Sequence, residues 1–201
     1  MNHNISSTAI VNVSEALKQK LVEGGILSED KIRFNAPDDR PDLTEPYLLV
    51  YLYSVSEDPS LRNYENPIRY VTPDGNVSSY VDVDTPPTVV DLHYLFIPYG
   101  PDPNFEMIII GGIKRIFRNQ PIIQPKYLPA QMNGTQIRAV SDNPDMDYIY
   151  RLWSLFPSTS YKLSLIYTIT PVILHSGEVV REVRNTQVNE VYYHREMEDS
   201  V

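Results

Sequence analysis

Residues Glu45–Asn63 read EPYLLVYLYSVSEDPSLRN, and the first half of that stretch decides the fold. Tyr47 through Val55 is an almost unbroken apolar and aromatic run. It falls well short of the roughly 18 apolar residues that make a spanning helix. Apolar side chains at successive positions, with no polar alternation, mark a central strand covered on both faces. The run gives way to Glu57-Asp58-Pro59 and then Leu61-Arg62-Asn63, a polar exit turn that matches no catalytic motif. A chain whose best-specified segment is a strand and its exit is expected to pack and assemble, not to turn over a substrate.

Upstream, Ile10, Val13, Leu17 and Leu21 recur at three- and four-residue steps. This spacing predicts an amphipathic helix with Lys18, Gln19, Lys20 and Glu23 facing away. Asn12 with Glu15 has capping-box spacing, although a start near Ser6 fits too. Gly24-Gly25 ends the helix, and a short strand over Ile32–Asn35 follows.

Downstream, Asn63–Pro87 is punctuated by Pro67, Pro73, Asp74-Gly75 and Pro86-Pro87 and is poor in large apolar residues. Ile68–Val71 and Val77–Val83 flank a turn at Thr72-Pro73-Asp74-Gly75, the pattern of a hairpin projecting from the body. Thr88–Pro98, TVVDLHYLFIP, is a second rich strand. Asp102-Pro103 opens a second helix with Glu106 in its first turn and a stripe of Phe105, Ile109, Ile113, Ile116 and Phe117. Gly111-Gly112 inside that helix costs about 1 kcal/mol per glycine relative to alanine, which suggests close approach to the sheet or a bend.

After a loop over Ile122–Gly134, Thr135–Val140 reads as a strand, and Asn143-Pro144 starts a third helix lined by Met146, Ile149, Trp153 and Phe156. Tyr161–Leu174 alternates with period two, so one face is expected to be buried and one accessible. Val179–Val191 is a last, polar strand that a lone domain would leave as an open edge, and Tyr192–Val201 is a loose tail. The expected fold is α+β: one domain over residues 1–201, a mixed sheet with helices packed on it, with an excursion at 63–87 and a tail at 192–201.

The 201-residue length suits such a domain. A net charge of −9 argues against a nucleic-acid partner, because phosphate binding needs clustered Lys and Arg. The one basic cluster, Lys114, Arg115 and Arg118, sits where it complements a helix dipole. With no cysteine, disulfides and thiol catalysis are excluded. The N-terminus lacks a basic-then-apolar signal, so cytoplasmic synthesis is expected, with no direct membrane insertion. His3, His93, His175 and His194 are scattered, and no GxSxG, P-loop or dinucleotide fingerprint occurs. Asp91 and His93 share a strand face, a pattern that suits hydrogen bonding at a sheet surface better than a metal site. Asp142, Asp145 and Asp147 cluster at a helix start, where they pair with its dipole. No catalytic, metal or cofactor residue emerges, and the expectation is a non-enzyme. Fifteen tyrosines against five phenylalanines suit surfaces that are wet at one moment and buried at another.

Taken in order, PYLLVYLYSVSEDPSLRN, VDLHYLFIPYG, IIIGGIKRIFRNQPII and IYRLWSLFPSTSYKLSLIYTITPVIL resemble the cap, or tail-terminator, proteins of phage-tail-like contractile injection systems. The resemblance runs over about residues 5 to 175 and is weaker at Asn63–Pro87 and after Gly177. It implies a six-membered ring at the distal end of inner tube and sheath that stops polymerisation and joins the two layers. The particle is then either released or membrane-tethered. Its implied partners are further copies of the chain, the sheath protein and the inner tube protein. A neck or tail-completion protein of a contractile phage, or a tyrosine-rich carbohydrate- or protein-binding module, is the alternative. Candidate interface residues are Tyr53, Glu57, Arg62 and Asn63 on the central strand and its exit turn, and Arg181, Arg184 and Gln187 on the last strand. That last strand is expected to pair with, or be covered by, a neighbouring subunit or a sheath arm.

Overall fold

The computed structural model describes residues 3–39, 45–57, 68–71, 80–84, 87–132, 136–174 and 179–184. The chain divides into two compact units, residues 1–64 with 86–177 and residues 65–85 with 178–201.

The larger unit is built on a five-stranded sheet in the order β1-β2-β5-β7-β6. Its members are β1 (Ile32–Arg33), β2 (Tyr47–Glu57), β5 (Thr88–Tyr99), β6 (Arg138–Ser141) and β7 (Leu165–Leu174). Only β1 runs parallel to its neighbour, so the sheet is mixed. The two rich strands of the sequence, β2 and β5, pair antiparallel from Tyr47↔Tyr99 to Glu57↔Val90, with a bulge between Leu52 and Ser54.

Alternation within β2 and β5 explains why both faces are apolar. Leu48, Val50, Leu92, Tyr94 and Phe96 point to one side, against α1 (His3–Glu23) and α2 (Pro103–Asn119). Tyr47, Leu49, Leu95, Ile97 and Tyr99 point to the other, against α3 (Met146–Trp153). The larger unit is therefore α+β in three layers, with helices on both faces of a mixed sheet. Coverage fades along β2: Tyr47–Val50 is buried, Tyr51–Ser54 half-buried and Val55 exposed, so the apolar run is two-faced only in its first half.

Helix boundaries follow from their caps. The α1 helix starts well before Asn12, whose side chain lies mid-helix and donates to Thr8 Oγ1. At its end Gly25, at φ +75°, takes the left-handed conformation. Ile26 N–H returns to Leu21 O and Gly25 N–H to Val22 O, and both Leu21 and Ile26 join the core. Asp102 caps α2 by accepting from the Asn104 and Phe105 amides at 2.8 and 3.0 Å. Asp145 caps α3 by accepting from Tyr148 N–H at 2.7 Å, so that helix begins beyond Pro144. This later start turns Met146 outward at 70% exposure, against its expected place in the buried stripe, while Leu152 joins Trp153 and Phe156 inside.

Three further expectations change. Gly112 is indeed a close approach, but to Ile26, whose Cδ1 lies 2.7 Å from where a Cβ would sit; at Gly111 a Cβ would meet nothing within 4 Å. The strand expected from Tyr161 starts at Leu165, and Ile166 to Thr168 are buried whichever way they point, because helices cover both faces. Lys20, expected in solvent, is 3% exposed.

The smaller unit holds a three-stranded sheet, β3-β4-β8. The hairpin strands β3 (Ile68–Val71) and β4 (Tyr80–Asp84) pair antiparallel, and β8 (Val179–Arg184) adds to β4, opposing Tyr80 with Arg184 and Val83 with Arg181. The excursion and the last strand, far apart in sequence, thus share one sheet. The turn between the hairpin strands and the tail lie outside the described residues.

Trp153 carries the α3 layer: it is 6% exposed, edge-on to Phe156 at 6.1 Å and to Tyr161 at 5.5 Å between ring centroids. Replacing it with alanine is predicted to lower stability by about 3–5 kcal/mol, read as a shift of the denaturant midpoint. An unchanged midpoint would mean that α3 does not seal the sheet.

Candidate assembly surface

Tyr53 and Glu57 both lie on β2, the strand that leads the sheet towards its short edge strand. Tyr53 is half-buried, accepts a hydrogen bond from the Tyr148 hydroxyl at 3.2 Å, and has burial pushing its phenol pKa up. Glu57 ends the strand, exposed. Arg181 and Arg184 sit on β8 in the smaller unit, and Arg62, Asn63 and Gln187 lie outside the described residues. The candidate interface residues are thus divided between the two units and the residues outside the description.

The structure instead reveals surfaces that the sequence did not disclose. The first is a polar ladder on the α3 side of the sheet, beside Tyr53 and its Tyr148 contact. Ser56 Oγ meets His93 Nε2 at 2.8 Å, Thr168 Oγ1 meets His93 Nδ1 at 2.9 Å, and Thr168 donates to Asp142 Oδ2 at 2.6 Å. A threonine hydroxyl has one proton, so Thr168 must accept from Nδ1–H, which leaves Nε2 to accept from Ser56. The chain of donors runs from Ser56 through His93 and Thr168 to Asp142, across β2, β5, β7 and the segment after β6. Asp91 bonds the Thr170 hydroxyl instead of His93, so the two residues that share a β5 face are tied to different neighbours. What the ladder does is fasten four strands, from the buried Thr168 on β7 out to Ser56 at the end of β2, where the burial of that strand fades. Among the described residues no group of three His, Cys, Asp or Glu could hold a metal ion.

The second surface lies where α1 and α2 end. Lys20, Glu23, Gly24, Arg115, Asn119 and Lys126 are among the residues lining a cavity of about 380 Å³ there. Lys126 Nζ pairs with Glu23 at 2.6 Å, and the Tyr127 hydroxyl bonds the same carboxylate. Lys20 Nζ donates to Ile122 O at 3.0 Å, which anchors the loop after α2 to α1. Burial lowers the Lys20 pKa, Glu23 pulls it back up, and Lys126 adds to the lowering.

The third surface is the outer side of the two sheet-covering helices. On α2, Met107 and Ile108 are 52% and 70% exposed, and Lys114, Arg115 and Arg118 follow towards its C-terminus. Lys114, Arg115 and Arg118 also rim a cavity of about 600 Å³ with Phe117, Ala139 and Tyr167 among its lining. On the α3 side, Met146, Tyr150 and Leu155 are 70%, 74% and 68% exposed. Monomeric proteins seldom display apolar side chains in such groups, which mark contacts with other molecules. The exposure of Ile108 and Tyr150 could not be foreseen, because each falls beside a buried stripe. Among the described residues no helix is long and apolar enough to cross a membrane.

These features describe a mixed sheet covered by helices, with apolar and charged side chains exposed on their outer faces. The chain belongs to the Pvc16 N-terminal domain family, which it matches over residues 12–187. Among solved structures it is similar to the sheath/tube terminator of PVC, an extracellular contractile injection system, in its extended state. There the identity is 19%, the TM-score 0.65, and the match covers 96% of this chain and 65% of that one. It is also similar to the tube-terminating cap of the anti-feeding prophage, at 15% identity and a TM-score of 0.58, covering 95% of this chain and 61% of that one. The chain thus spans a little under two thirds of the length of these two proteins. A sequence comparison with curated proteins gives no match.

The buried Lys20 makes a testable contribution to stability. Its folded pKa lies below the ordinary 10.5, so the folded state sheds the proton first. Stability must then rise with pH between the folded pKa and 10.5, where the unfolded chain still holds the proton. In Lys20→Met that rise disappears, while Tyr94, pushed up to about 12 by burial, titrates alike in both proteins and cancels. The difference in unfolding free energy, wild type minus variant, is predicted to be flat near neutrality and to climb as pH approaches 10.5. A flat difference throughout would place the Lys20 ammonium in water.

Proposed function

We propose that this chain is the terminator, or cap, of a contractile injection particle: a homohexameric ring at the distal end of the inner tube and sheath that ends polymerisation and joins the two layers. The observation that carries this reading is the fold, which matches two terminating caps over nearly the whole of this chain. Family membership over residues 12–187 supports it. The partners are then further copies of the chain, the sheath protein and the inner tube protein, and the protein is a structural component of the particle, without an enzymatic role.

The edges of both sheets support a docking role. On β2 the short β1 pairs only with Leu48 and Leu49, so among the described residues no strand lies outside Tyr51 to Ser56. In the smaller sheet β8 is an edge, paired with β4 alone among the described residues. Exposed edges offer backbone donors and acceptors to an extended arm, and strand addition captures such an arm with main-chain bonds. A sheath arm or a neighbouring subunit is proposed to pair with or cover β8, and its charged residues blunt the edge against further growth.

Removing the protein from particles assembled in its producing cell tests the function. Without it, tube and sheath lengths are predicted to broaden and the two layers to separate on purification, as seen by negative-stain length distributions. Particles of normal length with sheath and tube still joined would refute the terminator role.

A further inference from the structure

Gly111 makes no close approach that would demand a glycine among the described residues. It lies in the middle of α2, where a glycine is unfavourable relative to alanine, yet a Cβ there would meet nothing within 4 Å. Its neighbour Gly112 is different, since Ile26 fills the space beside it. Ile108, Gly111 and Arg115 follow one another at three- and four-residue steps, so the glycine forms a flat place between an exposed apolar side chain and an exposed cation. A bare backbone at such a place serves close approach by something outside the subunit.

The charges say what that something is. Lys114, Arg115 and Arg118 are exposed and have no ion-pair partner among the described residues, in a chain whose net charge is −9. The opposite face of the sheet carries the complement. Beside the exposed Met146 and Tyr150 on α3 stand the exposed Asp145 and Asp147, the latter paired with Arg151. On α2 the apolar pair precedes the basic group; on α3 the acidic group precedes Tyr150 and Leu155. Laid antiparallel, apolar meets apolar and acid meets base.

We propose that the outer face of α3 in one copy seats on the outer face of α2 in the next, Tyr150 and Met146 against Ile108 and Gly111, with the Asp145 end beside Arg115 and Arg118. The inference rests on the ring reading above and gives it a contact. Because α2 and α3 lie on opposite faces of one sheet, each copy offers a different surface to each of two neighbours. That is a head-to-tail contact, which gives a ring when its rotation closes and never an isolated two-fold dimer; the closure comes from the ring reading. The occupant of both faces is a second copy of this chain.

Two variants that spoil one face each provide the test. Ile108→Asp and Tyr150→Asp change exposed side chains, so their unfolding midpoints should equal that of the wild type. Each alone should sediment as a monomer under conditions in which the wild type forms rings. Mixed in equal amounts they should give a species of two chains and nothing larger, since one intact pair of faces remains. A third variant, Gly111→Leu, should fold with an undiminished midpoint and fail to form rings. Rings retained by any of the three would overturn the contact and leave the ring reading standing. Monomers that give no two-chain species on mixing would show that the two faces do not meet each other. A wild type that stays monomeric at high concentration would remove the ring itself and this contact with it.

Discussion

Burial of β2 and β5 on both faces is the constraint from which the rest of the molecule follows. Leu48, Leu49, Val50, Leu92, Leu95, Phe96 and Ile97 are each essentially inaccessible, yet alternate residues point in opposite directions. A strand pair of this kind has no wet side, so helices must cover both faces. Each fully buried aliphatic or aromatic side chain contributes on the order of 1.5–3 kcal/mol, so neither helical layer is dispensable. The α1–α2 layer is drawn tight by contacts at its glycines: a Cβ at Gly24 would lie 2.2 Å from Ile116 Cδ1, and one at Gly112 would lie 2.7 Å from Ile26 Cδ1. On the far side α3 is only eight residues long, and Trp153 with Phe156 supplies the area that so short a helix lacks.

Two-sided coverage has a consequence for assembly. A sheet with one wet face would have one obvious surface for a partner. Here the sheet faces are spent on internal packing, and what remains for neighbours is the outer side of the helices and the strand edges. These are the places where the chain shows exposed Ile108, Met146, Tyr150 and Leu155, Lys114 and Arg118 without an ion-pair partner among the described residues, and a stretch of β2 whose outer edge meets no described strand. The Ser56–His93–Thr168–Asp142 ladder belongs to the same scheme, since it ties the end of β2 back to the buried Thr168 on β7.

Much of this was legible from sequence. The Tyr47–Val55 run announced the central strand, Asp102-Pro103 the start of α2, and the Ile149, Trp153 and Phe156 spacing the buried side of α3. What escaped depended on contacts between distant segments. Lys20 looks solvent-facing on a helical wheel, but the loop at Ile122, 102 residues away, closes over it. Met146 was assigned to the core because Asn143-Pro144 resembles a helix start, whereas the Asp145 carboxylate makes the actual cap. The ladder joins residues from four separate segments, none with a local signature. The pairing of β4 with β8 brings Tyr80 opposite Arg184, a separation over which hydrophobic pattern carries no register information. The exposed helix faces carry no sequence signal, because an isoleucine such as Ile108 beside a buried stripe looks like ordinary scatter.

The absence of cysteine from the chain makes the central claim directly measurable. A double variant, Ile108→Cys with Tyr150→Cys, places one thiol on each proposed face and no others. Mild oxidation of the assembled protein should then give a ladder of covalent multimers on a non-reducing gel, ending in a closed species that runs no higher with longer oxidation. Either single variant should give no ladder. Monomer alone from the double variant, or ordinary dimers from a single one, would contradict a head-to-tail ring built from these two helices.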